Sequence, residues 1–247
     1  MSGHSKWSTI KHKKAATDAK RGKAFTRIAK EMTIAARDGG GDPATNNRLA
    51  LIVSKAKAAN MTKDSIERAI KRGTGELEGG ELSELTYEVY APNGIGLVIE
   101  VVTDNKRRSI ADLRHVVNKN GGTVAASGAV AWQFTRKGYI TVDGEVDEDE
   151  LFMIAAEAGA DDVQFGDIAE IFVEIDSFQA VQTALTDANI KFQEAALVFE
   201  PNSPSELNVA DSLQVMKFVD KVEDVDDVQN VYSTLDISDE AIAAMDS

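Results

Sequence analysis

The spacing of the apolar residues changes once along this chain, near residue 80, and the change limits the possible folds sharply. Up to residue 72 the apolar positions recur at i, i+3, i+4 and i+7, the pattern of helices with one buried face. From residue 85 the spacing turns to two, or to short unbroken apolar runs, the pattern of strands. A chain built this way is a helical unit followed by α+β structure.

In the first part, Phe25, Ile28, Ala29, Met32 and Ala36 form the apolar stripe of a helix over 20–37. Asp38-Gly39-Gly40-Gly41-Asp42-Pro43 stops it and predicts a mobile connection. A second helix carries Leu49, Ile52, Val53 and Ala56; a third runs from about Thr62 to Arg72, with Gly73 as its C-cap. Residues 1–80 therefore read as a small all-α domain with an extended N-terminal arm.

The next block predicts a hairpin of 85–91 and 96–103 around Pro92-Asn93-Gly94. A helix over 110–119 follows, started by Ser109 and Asp112 in capping-box spacing, and then a strand over 130–135. Residues 138–204 read as βαββαβ, the ferredoxin-like order, with strands at 139–142, 162–165, 169–175 and 192–199 and helices at 148–158 and 177–188. A last helix (209–222) and strand (228–233) cannot bury themselves alone. They are expected to return and complete the middle block. The expected fold is multidomain α and α+β: an all-α domain at 1–80, an α+β domain made of 81–137 plus 205–247, and an acidic ferredoxin-like domain at 138–204 inserted in the second.

Charge is divided along the same lines. The 247 residues carry a net −14, which taken whole would repel a phosphate backbone. Yet residues 1–75 hold 17 Lys and Arg against 6 Asp and Glu, a net +11, while residues 76–137 sum to −1 and residues 138–247 to −24. A basic end joined to an acidic body points to a polyanion-binding module. On the helix over 20–37, Lys20, Lys23, Arg27, Lys30 and Arg37 centre on the face opposite the apolar stripe, almost without interleaved acids. Upstream, Lys6, Lys11, His12, Lys13, Lys14 and Arg21 continue the basic segment, and Trp7 among them could stack on a base or pack the arm onto the helices. Lys106, Arg107 and Arg108 form a second cluster just before a helix N-terminus, where backbone N–H groups attract anions. These residues are the expected nucleic-acid contacts.

Other chemistries find little footing. There is no Cys, so no thiolate nucleophile and no Cys-bound zinc, and His4, His12 and His115 are too scattered for a metal site. Gly73-Thr74-Gly75 and Gly94-Ile95-Gly96 do not extend to a dinucleotide fingerprint, and there is no P-loop. The acidic run from Asp143 lacks the Gly and the final Glu of a calcium loop. No cofactor and no catalytic pair are expected. The N-terminus lacks the apolar run of a signal peptide, and the longest apolar stretch falls far short of the roughly 20 residues that span a bilayer. A cytoplasmic protein without a membrane partner is expected.

Several of these segments together resemble the YebC family. They are Gly3-His4-Ser5-Lys6-Trp7, the run Lys14 to Lys23, Gly39 to Pro43, Asn60 to Asp64 leading to Glu67-Arg68-Ala69-Ile70, Thr103-Asp104-Asn105, and Glu223-Asp224 through Gln229. Thr62 departs from the Pro that members often carry. The resemblance implies a three-domain protein without known enzymatic activity, whose basic N-terminal module maps onto Lys6 to Arg37. Members are described as probable transcriptional regulators that bind DNA. Others, a mitochondrial translational activator among them, are linked to translation and to relief of ribosomes stalled on proline-rich stretches. The expected partner is thus DNA or ribosomal RNA, with a basic protein as a further partner for the acidic domains.

Overall fold

The computed structural model describes residues 18–143, 146–166 and 168–245, with side chains from Gly22 onward. In the helical unit, α1 (Asp18–Gly39), α2 (Asn47–Ala58) and α3 (Lys63–Gly73) pack around Met32, Leu49 and Ala56, all fully buried. Asn46 and Thr62 cap α2 and α3, accepting from the backbone N–H of Leu49 and Ser65. Thr62 thus starts its helix by side-chain capping. The glycine-rich connection after α1 is fastened rather than mobile. Buried Asn46 donates through Nδ2 to the Ala35 and Gly40 carbonyls, each at 2.8 Å, and a Cβ on Gly39 would lie only 2.6 Å from that nitrogen.

The chain continues through β1 (Ser83–Tyr90), β2 (Gly96–Thr103), α4 (Lys106–Lys119) and β3 (Thr123–Val124). It then forms β4 (Phe134–Asp143), α5 (Glu148–Glu157), β5 (Ala160–Gln164), β6 (Ile168–Val173), α6 (Phe178–Asp187) and β7 (Phe192–Pro201). Last come β8 (Ser205–Glu206), α7 (Val209–Glu223), β9 (Val228–Ser233), β10 (Leu235–Asp236) and α8 (Asp239–Met245).

Two four-stranded antiparallel sheets result. The first runs β3-β1-β2-β9, so a strand from the end of the chain lies beside the hairpin formed by β1 and β2. Its core joins Leu97, Ile99 and Val101 to Leu113 and Val117 of α4 and to Val215, Phe218 and Val222 of α7. The second sheet runs β5-β6-β4-β7 and buries Ile140 and Ile171 against Leu151 of α5 and Val181 and Leu185 of α6. A further apolar cluster of Val98, Val130, Tyr139, Phe172, Val198 and Tyr232 seals the two sheets together.

Two further expectations are corrected. The strands read at 130–135 and 139–142 are one strand, β4, and Val130 belongs to the loop before it. The helix read from residue 110 begins four residues earlier. Asn105 caps it by accepting from the Arg108 N–H, so Ser109 is an interior helical residue, fully buried, and not part of a capping box.

Candidate nucleic-acid interface

Helical periodicity puts the cations of α1 on one face, and in the folded protein that face meets the acidic turn after α7 and the start of β1. Lys23 donates to the Asp224 carbonyl at 2.7 Å and pairs with its carboxylate at 3.4 Å. Arg27 donates to the Glu223 carbonyl. Lys30 reaches furthest in, donating to the Val102 carbonyl at 2.9 Å and forming an ion pair with Asp227 at 2.7 Å. At the far end, Arg37 donates to the Leu82 carbonyl at 2.9 Å and faces Glu84 at 3.4 Å. Pairing engages these four cations without closing the face: Lys30 is only 16% exposed, but Lys23 and Arg37 each keep 40% of their side chains in solvent. The opposite face of α1 packs α2 and α3.

The receiving group is Asp227, in the turn between α7 and β9. Only 7% of its side chain is exposed. It accepts from Lys30, from Thr103 Oγ1 at 3.1 Å, from Ser109 Oγ and from Arg108 at 3.1 Å. Burial opposes its ionisation, but the hydrogen bonds from Lys30, Ser109 and Arg108 outweigh burial and bring its pKa down to about 2. Arg108, expected to meet phosphate, is therefore engaged by Asp227 and by Asp104 at 2.9 Å. Lys106 and Arg107, in the first turn of α4, are exposed and carry no ion pair among the described residues.

Lys6, Trp7, Lys11, His12, Lys13 and Lys14 lie outside the described residues. Lys20 and Arg21 lie in the first turn of α1, outside the described side chains. Lys57, Lys71 and Arg72, which the sequence reading passed over, are exposed on α2 and α3 without an ion pair among the described residues. Arg72 lines a groove of about 1230 Å³ between α1, α3 and the turn after α7, beside Arg68 and Lys221. Asp227 was also missed as a docking partner. Its signal was present in the acidic run Glu223 to Asp227, but nothing local to it names a helix some 200 residues upstream.

Among the described residues, no group of three or more His, Asp or Glu could hold a metal ion, and no helix is long and apolar enough to cross a membrane.

Two family models divide the chain where its hydrophobic period divides it. Residues 5–76 match the TACO1/YebC N-terminal domain and residues 82–235 match the TACO1/YebC second and third domains. The chain belongs to the TACO1/YebC family. Curated relatives include a "Probable transcriptional regulatory protein" of Acidithiobacillus ferrooxidans, 49% identical over 100% of this chain and 99% of its own length. One of the same name from Desulfatibacillum aliphaticivorans is 50% identical over 98% of this chain and 99% of its own. The crystal structure of a conserved hypothetical protein, Aq1575, from Aquifex aeolicus superposes with a TM-score of 0.81 at 39% identity, covering 90% of this chain and 93% of that one. TACO1/YebC relatives thus carry the names of regulators.

Proposed function

We propose that this TACO1/YebC chain is a cytoplasmic, non-enzymatic regulator of gene expression that binds nucleic acid through its basic end. One observation carries the reading: docking α1 does not exhaust the cations. Lys57, Lys71 and Arg72 on the helical unit, and Lys106 and Arg107 at the N-terminus of α4, remain exposed and unpaired among the described residues. Lys6, Trp7, Lys11, His12, Lys13, Lys14, Lys20 and Arg21 would add to them. Beneath this function we read residues 138–204 as a ferredoxin-like unit inserted in the second domain, since its sheet follows the split βαβ order. Its acidic face, where Phe152 and Met153 stand exposed beside Glu148, Asp149 and Glu150, would suit a basic protein partner.

A ribosome-associated role is the second reading, and the packing of α1 favours it. A helix whose apolar face packs α2 and α3 and whose cations are already paired within the protein is poorly placed to read a major groove, whereas scattered exposed cations suit the irregular phosphate surface of a folded RNA. Sedimentation of ribosomes from lysate with competing duplex DNA separates the two. Retention on the ribosome supports translation; displacement by DNA supports transcription. In either case K106E/R107E should weaken binding and reduce the salt slope by about two phosphate contacts. Unchanged affinity and slope would remove α4 from the interface. A broad hydrolase and nucleotide turnover screen should be blank.

A further inference from the structure

The loop over 125–133 that joins β3 to β4 is held from beneath by one buried carboxylate. Glu88 of β1 accepts the backbone N–H groups of Gly128, Val130 and Ala131 at 2.6, 2.6 and 2.7 Å. Burial would raise its pKa, but these three donors hold the carboxyl below its usual range. On the other side, Asn202 donates to the Trp132 carbonyl at 3.1 Å and accepts from Thr135 Oγ1 at 2.6 Å. This braced loop displays Trp132 with 72% of its surface in water. Trp contributes most to stability when buried, so a rigid loop that holds one outward is built for something other than packing.

The two aromatic side chains here meet at a single atom. Trp132 Nε1 donates to the Ala129 carbonyl at 3.0 Å, and Tyr90 OH donates to the same oxygen at 2.8 Å. Their polar tips are satisfied, so what remains exposed is ring surface. The loop also lies in a stretch of sequence unlike the rest of the acidic body. Residues 113–142 contain no Asp or Glu and four Lys or Arg, in a chain with 41 acids. Lys137 is held by Asp161 and Glu174, while Arg114, Lys119 and Arg136 carry no ion pair among the described residues.

The geometry points to Trp132, with Tyr90 beside it, as a stacking platform for an unpaired nucleobase, an assignment that rests on the nucleic-acid reading above. A base fits better than a protein anchor. The donors are already used, the ring area matches one or two bases rather than a broad apolar patch, and stacking tolerates any sequence. The platform sits at the Tyr90 end of β1, whereas α1 docks at the Thr103 end of β2, which Ser83 of β1 faces. One strand engaging both ends would therefore run the length of the first sheet.

The test is fluorescence anisotropy of the full chain with a labelled 15-nucleotide single-stranded RNA and with the same RNA annealed as a duplex. W132A should weaken single-strand binding by about tenfold to a hundredfold, leave duplex binding and the thermal midpoint unchanged, and be largely rescued by W132F. W132A that binds the single strand as tightly as wild type overturns the proposal. So does equal weakening on both probes. Wild type that binds duplex but no single strand sinks the stacking platform alone, while wild type that binds neither sinks the nucleic-acid reading with it. Loss of ribosome association by W132A with intact single-strand affinity would make Trp132 a protein anchor and overturn the base assignment.

Discussion

Asp227 sits where three parts of the molecule meet, and its ionisation is worth free energy. A carboxylate at about 2 in the folded protein, against an ordinary value of 3.8, contributes about 2 kcal/mol. Because the folded value is the lower one, that contribution is complete above pH 4 and is lost as the pH falls from about 4 to 2. D227N should cost about 2–3 kcal/mol at neutral pH, since Lys30, only 16% exposed, would lose its counter-ion. Urea unfolding of the variant from pH 7 to 2 should show a flatter acid limb than wild type; the same limb in both would mean Asp227 is not the titrating group. Glu88 follows similar logic in a smaller setting. E88Q sets an amide N–H against at least one of three backbone donors, and should cost about 2 kcal/mol in urea unfolding. It should also weaken single-strand binding without touching the Trp132 ring; full stability in E88Q would show that the loop is fixed by something else.

At the scale of elements, glycines decide how closely helices and strands approach. A Cβ on Gly73, the last residue of α3, would lie 2.3 Å from the Thr33 carbonyl and 2.8 Å from the Ala36 Cβ. The contact is backbone against α1, and G73A should cost about 1–3 kcal/mol by overpacking. Gly22 has nothing within 4 Å, so G22A should instead stabilise by about 0.5–1 kcal/mol. Urea midpoints moving in opposite directions would confirm the contrast; a harmless G73A would refute the close approach. The same reasoning explains what the sequence hid. Helix positions were legible where one face is apolar and the other polar, as in α1 and α7. Lys137-Gly138 read as a break between strands, yet a Cβ at Gly138 would meet the Phe178 ring at 2.4 Å, so the glycine admits α6 rather than ending β4. The start of α4 was misplaced because a Ser with a carboxylate three residues on imitates a cap, while Asn105, a stronger cap, stood four residues before it. As for the candidate site, the basic stripe of α1 was legible, but its neighbour was not. Periodicity tells which way a side chain points around its own axis and carries nothing about what another part of the chain will set against it.

Across the whole molecule, the opposed charges of the two ends do structural work before any ligand arrives. The +11 of residues 1–75 meets part of the acidic body directly, through Lys23 on Asp224, Lys30 on Asp227 and Arg37 on Glu84. These pairs differ in their exposure to salt. Lys23 and Asp224 are open to solvent and lose most of their attraction to screening at 1 M, whereas Lys30 and Asp227 are largely out of reach of counter-ions. Small-angle scattering of wild type should therefore give nearly the same radius of gyration at 0.1 M and 1 M salt. K23E/R27E/K30E sets three carboxylates against Glu223 to Asp227, and like charges at these distances repel. That variant should be larger than wild type at 0.1 M and shrink as salt rises, with each unit still folded by circular dichroism. A triple variant as compact as wild type would mean the apolar contacts alone dock the helical unit.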